Sequence, residues 1–228
     1  GYSIQMSIRV LSIVKKRFAV ISQRITLYKD GALLQQNSKR YSLKHAELCD
    51  KSPLVILHGN QVIKGEVKSS GKWVYEVSFH LDNISAHLLF EAKTKGWKGR
   101  NPGGDWWAVI LPRATVKGIL NVDDQKIKVN GIGYHDHNWD VRPRVARNNF
   151  GWFWGKINFK TYTAIWATIF EKRSCGLPIL MINENEDGFI NILPKDIVFK
   201  GCDVKRKNRR YIPSHFNLTA KTEHINLD

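Results

Sequence analysis

The sequence predicts an all-β protein built from two successive β units, and three observations carry that prediction. Apolar residues return at every second position along one run after another, which sets them on one face of an extended strand. Clusters of Gly, Asp, Asn and Ser punctuate those runs at the spacing of a sandwich or barrel. No long stretch shows convincing helical periodicity; residues 39–49 are the best helical candidate, and Gly118 and Gly133 weaken any helix further along.

The elements follow in order. Ile4, Met6, Ile8 and Val10 alternate with Ser3, Gln5, Ser7 and Arg9, and a second run over residues 17–28 closes at the turn Lys29-Asp30-Gly31. Residues 62–67 and 73–81 repeat the pattern about Ser69-Ser70-Gly71, followed by 88–92 and a loop ending Asn101-Pro102-Gly103-Gly104. Residues 106–111, 114–122 and 126–129 read as a meander with Asp123-Asp124 at a turn, and 131–139 continues it. The arginine-rich stretch 141–149 reads as a linker, dividing a first domain, 1–140, from a second, 150–228. The second holds runs at 151–158, 161–170, 179–183, 189–193 and 215–222. That falls short of the roughly eight strands that close a barrel around a ligand, so the second unit reads as an incomplete one.

Composition narrows the class. At 228 residues, 43% hydrophobic and 11% aromatic, the chain can bury a real core and is not a disordered one. Eight tryptophans favour a large β core or an aromatic-lined cavity. The net charge of +16 raises nucleic acid or an anionic membrane surface as partner. Basic residues run through the whole chain, however, and the densest group, Lys205-Arg206-Lys207 with Arg209-Arg210, reads as a solvated turn. With no nucleic-acid motif beside the charge, nucleic acid is not the expected partner, while peripheral contact with anionic lipid stays open. Cys49, Cys175 and Cys202 form no CxxC pair, and with no apolar run of roughly 18 residues they point to a reduced, cytoplasmic protein.

The chemistry concentrates at Gly131-Ile132-Gly133-Tyr134-His135-Asp136-His137-Asn138-Trp139-Asp140. On a strand Tyr134, Asp136 and Asn138 share one face, and His135, His137 and Trp139 the other. Farther on, Trp152 and Trp154 share a face of the next strand. Pairing of the two strands would wall an aromatic pocket with a few polar tips. A metal site is the weaker alternative: His135 and His137 could give two ligands, but no third is tied to that face. No metal or cofactor is expected. A third use is cation stabilisation by the indole faces. Against these stands a purely architectural network, which suits the aspartates and Asn138 better than His137 or Trp139.

These residues resemble the carotenoid 1,2-hydratase (hydroxyneurosporene synthase) family and its tandem lipocalin-like relatives, including lipocalin-like pericyclases. The carrying residues are Trp106-Trp107-Ala108-Val109, Pro112, Gly118, the Asp123-Asp124 turn, Gly133 to Trp139, and Trp152-Phe153-Trp154-Gly155; the similarity spans about 106–166. The resemblance implies two lipocalin-like antiparallel units sharing an apolar cleft for an isoprenoid or polyene-like molecule. It makes His137 and Trp139 the site pair, the indole steadying a cation, with His135 and Asp136 as a junction motif. It places Tyr162 among the catalytic candidates, and Tyr134, His135, Trp107, Trp152, Trp154 and Trp166 around the ligand.

The hydratases of that family protonate a carbon–carbon double bond and add water, which needs a buried acid. Here no Asp or Glu lies between Asp140 and Glu171, and Asp140 stands where the related sequences carry glycine, so Asp136, Asp140 or His137 would have to serve as acid. The expected function is therefore apolar-ligand binding, pericyclase-like or as a degenerate hydratase. Hydration of an alkene is the alternative, and a basic nucleic-acid or anionic-lipid module a third. Whether the chain is an enzyme, and how it oligomerises, stay open at this level.

Overall fold

A computed structural model describes residues 1–11, 19–100, 104–140, 149–171, 178–184, 188–207, 210–221 and 226–227. Its described residues are almost entirely strands. In chain order they are β1 (Tyr2–Leu11), β2 (Val20–Lys29), β3 (Ala32–Ser42), β4 (Ala46–Leu48), β5 (Leu54–Leu57) and β6 (Asn60–Val67). Next come β7 (Trp73–Leu81), β8 (Ile84–Ala92), β9 (Trp97–Arg100), β10 (Trp106–Val122) and β11 (Gln125–Trp139). The last are β12 (Asn149–Asn158), β13 (Tyr162–Glu171), β14 (Ile179–Glu184), β15 (Phe189–Ile192), β16 (Ile197–Lys207), β17 (Arg210–Lys221) and β18 (Asn226–Leu227). No helix among the described residues is long and apolar enough to cross a membrane.

The helical expectation at 39–49 is corrected. Those residues finish β3, make one 3-10 turn at Leu43–His45, and enter β4. Pairing with β2, in which Tyr41 faces Ile21 and Lys39 faces Gln23, overrides local propensity. Most of the linker expected at 141–149 lies outside the described residues; Asn149 opens β12.

The chain divides into two compact units, one of Gly1–Ala92 with Ala114–Gly133, the other of Lys93–Arg113 with Tyr134–Asp228. In the first, β2 alternates Ile21, Gln23, Ile25 and Leu27 into a buried row, and β8 does the same with Ile84, Ala86, Leu88, Phe90 and Ala92. Tight two-residue turns join β2 to β3, β7 to β8 and β10 to β11, and Asp30, Asp82 and Asp123 take the positive φ such turns require.

The second unit has three layers. Its first is β9 with the adjoining parts of β10 and β11. Its second is the sheet β12-β13-β14-β15, and its third is the sheet β16-β17-β18. One face of the middle sheet packs Ile165, Ala167 and Met181 against Trp107 and Val109. The other packs Ala164, Leu180, Ile182 and Ile192 against Ile197 and Ala220. Period two on β13 and β14 thus feeds two cores at once, which is why both strands read as nearly continuous apolar runs.

β10 is one strand of 17 residues, not two short ones. Pro112, which has no N–H to give, sits between the residues paired with β9 (Trp106 to Val109) and those paired with β8 (Ala114 to Val122). The break that the proline suggests is a change of neighbour rather than a turn.

Candidate functional site

The site grows from one inward row on β10, where Trp107, Val109, Leu111 and Arg113 share a face by alternation. Trp107 is buried and meets Trp97 edge to face at 5.6 Å. Its Nε1 donates to Asp136 Oδ2 at 2.9 Å. A buried indole N–H needs an acceptor, and Asp136 supplies one from β11. Tyr134, two residues back on the same face, joins this cluster. Burial, then the Asp136 charge, pushes its hydroxyl far above the usual tyrosine range, so it stays a neutral phenol.

Tyr134 carries the next ring. Trp154 of β12 stacks on it at 5.4 Å with planes 21° apart. Lys156 Nζ also lies over this ring, 5.4 Å from the Tyr134 centroid. Burial, then the neighbouring Arg113 charge, pulls the Lys156 amine down to about 8. Arg113 Nη1 donates to the Phe159 carbonyl at 2.9 Å, which holds the guanidinium at the end of β12. Trp152 is on the same face of β12 as Trp154 and Lys156, and the two indoles are 65% and 45% exposed. The wall is therefore open at its outer end.

The other candidates lie elsewhere. His135, His137 and Trp139 are on the opposite face of β11 from Asp136 by alternation. There His137 contacts Trp139 at 5.3 Å, and Trp139 stacks parallel on Trp106 at 5.7 Å. Lys98 and Arg100 lie over Trp106 at 5.3 and 5.6 Å. Burial lowers both imidazoles, His135 to about 4, so both are neutral at pH 7. Tyr162 and Trp166 are on the far face of the middle sheet, against its second core. Tyr162 stacks on Phe159 and Trp166 packs on Phe199 and Phe216.

The eleven candidates thus fall into separate groups. Trp107, Tyr134, Asp136, Trp152 and Trp154 come together on one face; His135, His137 and Trp139 form a second cluster; Tyr162 and Trp166 a third. Asp140 is exposed with φ at 58°, the left-handed region that glycine fills freely and Asp tolerates. Among the described residues no three His, Cys, Asp or Glu side chains group closely enough to hold a metal. An open groove of about 620 Å³ runs along Lys117, Gly118, Ile119, Lys126, Lys128, Val129 and Asn130, and another of about 160 Å³ borders Glu184 and Phe189. Neither includes a residue of the aromatic wall.

Sequence reading passed over Arg113 and Lys156. The signal was present: Arg113 continues the period-two row of Trp107, and Lys156 continues that of Trp152 and Trp154.

Comparison with known proteins adds the following. No family model matches the chain. A quinolone epoxide rearrangement protein from Emericella nidulans is 33% identical over 58 residues, which is 25% of this chain and 16% of that protein. A hydroxyneurosporene dehydrogenase from Chlorobaculum tepidum is 27% identical over 90 residues, 36% of this chain and 23% of that protein. The matches therefore span under a quarter of either relative. A crystal structure of a Nitrosomonas europaea protein designated AttH superposes with a TM-score of 0.73 at 16% identity, covering 95% of this chain and 71% of that one. The fold is all-β and lipocalin-like.

Proposed function

We propose that the second unit binds an apolar small molecule of the isoprenoid or polyene class against the wall of Tyr134, Trp152 and Trp154. The observation that supports this reading most is the pair of indoles left 65% and 45% exposed beside a stacked, half-buried tyrosine. Together those exposures amount to about one whole tryptophan surface, roughly 150–250 Å². Covering it is worth ~4–6 kcal/mol at ~25 cal/mol/Å². The partial relatives, one of them named for a quinolone epoxide rearrangement and one for hydroxyneurosporene, are compatible with an apolar or polycyclic ligand.

Binding is favoured over alkene hydration by where the polar groups sit. Hydration needs an acid and a cation-steadying indole around one carbon pair. Asp136 accepts from Trp107 on one face of β11, whereas Trp139 stacks on Trp106 on the other.

Quenching of tryptophan emission by a panel of isoprenoid alcohols and polyenes tests the proposal. Wild type should quench saturably with at least one of them, and Trp154→Ala should bind that ligand about tenfold more weakly or worse, equivalent to ~1.4 kcal/mol. Absence of saturable quenching across the panel rejects the proposal.

A further inference from the structure

The geometry points to a second site, on the first unit: a relay of Ser78, His87 and Glu76 that hydrolyses short acyl esters carrying a negative charge. It does not rest on the aromatic wall, which belongs to the other unit.

Strand register brings the three side chains together. Ser78 of β7 is the cross-strand partner of His87 of β8, and Glu76 precedes Ser78 by two residues, on the same face. That face is the open one, since β8 buries Ala86, Leu88 and Phe90 and leaves His87 and Leu89 exposed. Ser78 Oγ is 2.7 Å from His87 Nδ1, and His87 Nε2 is 3.5 Å from Glu76 Oε1. With the imidazole proton on Nε2, Nδ1 accepts from the Ser78 hydroxyl while Glu76 orients the ring. Lys64 faces Glu76 from β6 and pairs with Glu66 at 3.9 Å.

His87 also adjoins the open groove of about 620 Å³. Its cross-strand partner on β10 is Ile119, and in the next row Lys117 is opposite Leu89. Ile119 and Lys117 line the groove together with Lys126 and Lys128. Aliphatic surface therefore lies beside the imidazole, with the lysine ammonium groups around it, which suits a short acyl ester bearing a carboxylate.

Ser78 Oγ adds to the ester carbonyl carbon as its proton passes to His87 Nδ1. The bond from that carbon to the alcohol oxygen then breaks, and the alcohol leaves with the proton. Water repeats the cycle on the acyl-serine, releasing the acid and restoring Ser78. Glu76 touches no substrate atom and is a positioning residue for the imidazole.

An alkyl fluorophosphonate, from which a serine oxygen displaces fluoride, should label Ser78, as read by peptide mass spectrometry. The ester para-butyryloxybenzoate should turn over about 100-fold faster in wild type than in Ser78→Ala or His87→Gln. Acylation of surface lysines consumes ester once per amine and persists in Ser78→Ala, which separates it from turnover. Glu76→Gln should lower kcat about tenfold at unchanged KM and melting temperature, a split that a purely structural side chain would not give. The methyl ester of the same compound lacks the carboxylate and should show a KM about threefold higher or more. The double variant Lys117→Gln/Lys128→Gln should abolish that difference. An unlabelled Ser78, or turnover that survives Ser78→Ala, overturns the relay. Equal KM for the acid and its methyl ester overturns the assignment of an anionic substrate.

Discussion

Trp107 shows how one residue sets the second unit's chemistry. Its indole fills the core between β10 and the middle sheet, and its single polar atom fixes the Asp136 carboxylate. Trp107→Phe should therefore cost stability twice, by lost volume and by removing the indole N–H that Asp136 accepts. A fall of about 2–4 kcal/mol in the free energy of urea unfolding is expected. Asp136→Asn, which still accepts through its amide oxygen, should cost clearly less. His135 gives the matching pH prediction. Its folded value of about 4 lies below its ordinary 6.5, so the unfolded chain takes up the proton first. Stability from this group is complete above pH 6.5 and falls as the pH drops toward 4, by at most about 3 kcal/mol. His135→Asn should flatten that limb of the stability–pH curve; an unchanged slope would mean that another group carries it.

At the scale of elements, strand spacing is set by contacts that small residues permit. Gly155 lies opposite Trp166 across β12 and β13, and a Cβ there would sit 2.6 Å from the indole. Gly155→Ala should destabilise by ~1–3 kcal/mol, seen as a lowered melting temperature. Asp140→Gly, at φ of 58°, should leave the melting temperature equal or slightly raised, whereas Asp140→Val should lower it. The same elements show what could be read from sequence. The hairpin strands β7 and β8, and the runs within β10, were readable because buried positions alternate with more exposed ones along much of each. β3 was missed because most of its residues are exposed, so no apolar alternation marks it. β4, β5 and β9 are too short, at three or four residues, to show a period. Most of the basic cluster expected as a turn lies within β16 and at the start of β17, since strand pairing tolerates exposed Lys and Arg on both faces.

For the whole molecule, the all-β lipocalin-like class followed from periodicity and from the residues between Trp106 and Trp166. The site was only partly readable. Period two placed Tyr134 with Asp136, and Trp152 with Trp154, but strand order was needed to set Trp154 on Tyr134. Alternation also separated His137 and Trp139 from Asp136, yet proximity in sequence suggested a single site. Tyr162 and Trp166 could not be assigned to a face from sequence for a related reason: a middle sheet with two buried faces gives no sign of which face looks toward which partner. The central claim is that the exposed indoles of β12 touch an apolar ligand. It is tested most directly with a brominated alkyl ligand, whose bromine quenches only the tryptophans that it contacts. Saturable quenching in wild type that disappears in Trp152→Phe/Trp154→Phe, with the other six tryptophans retained, is the predicted result. Equal saturable quenching in the double variant, or none in wild type, would contradict it.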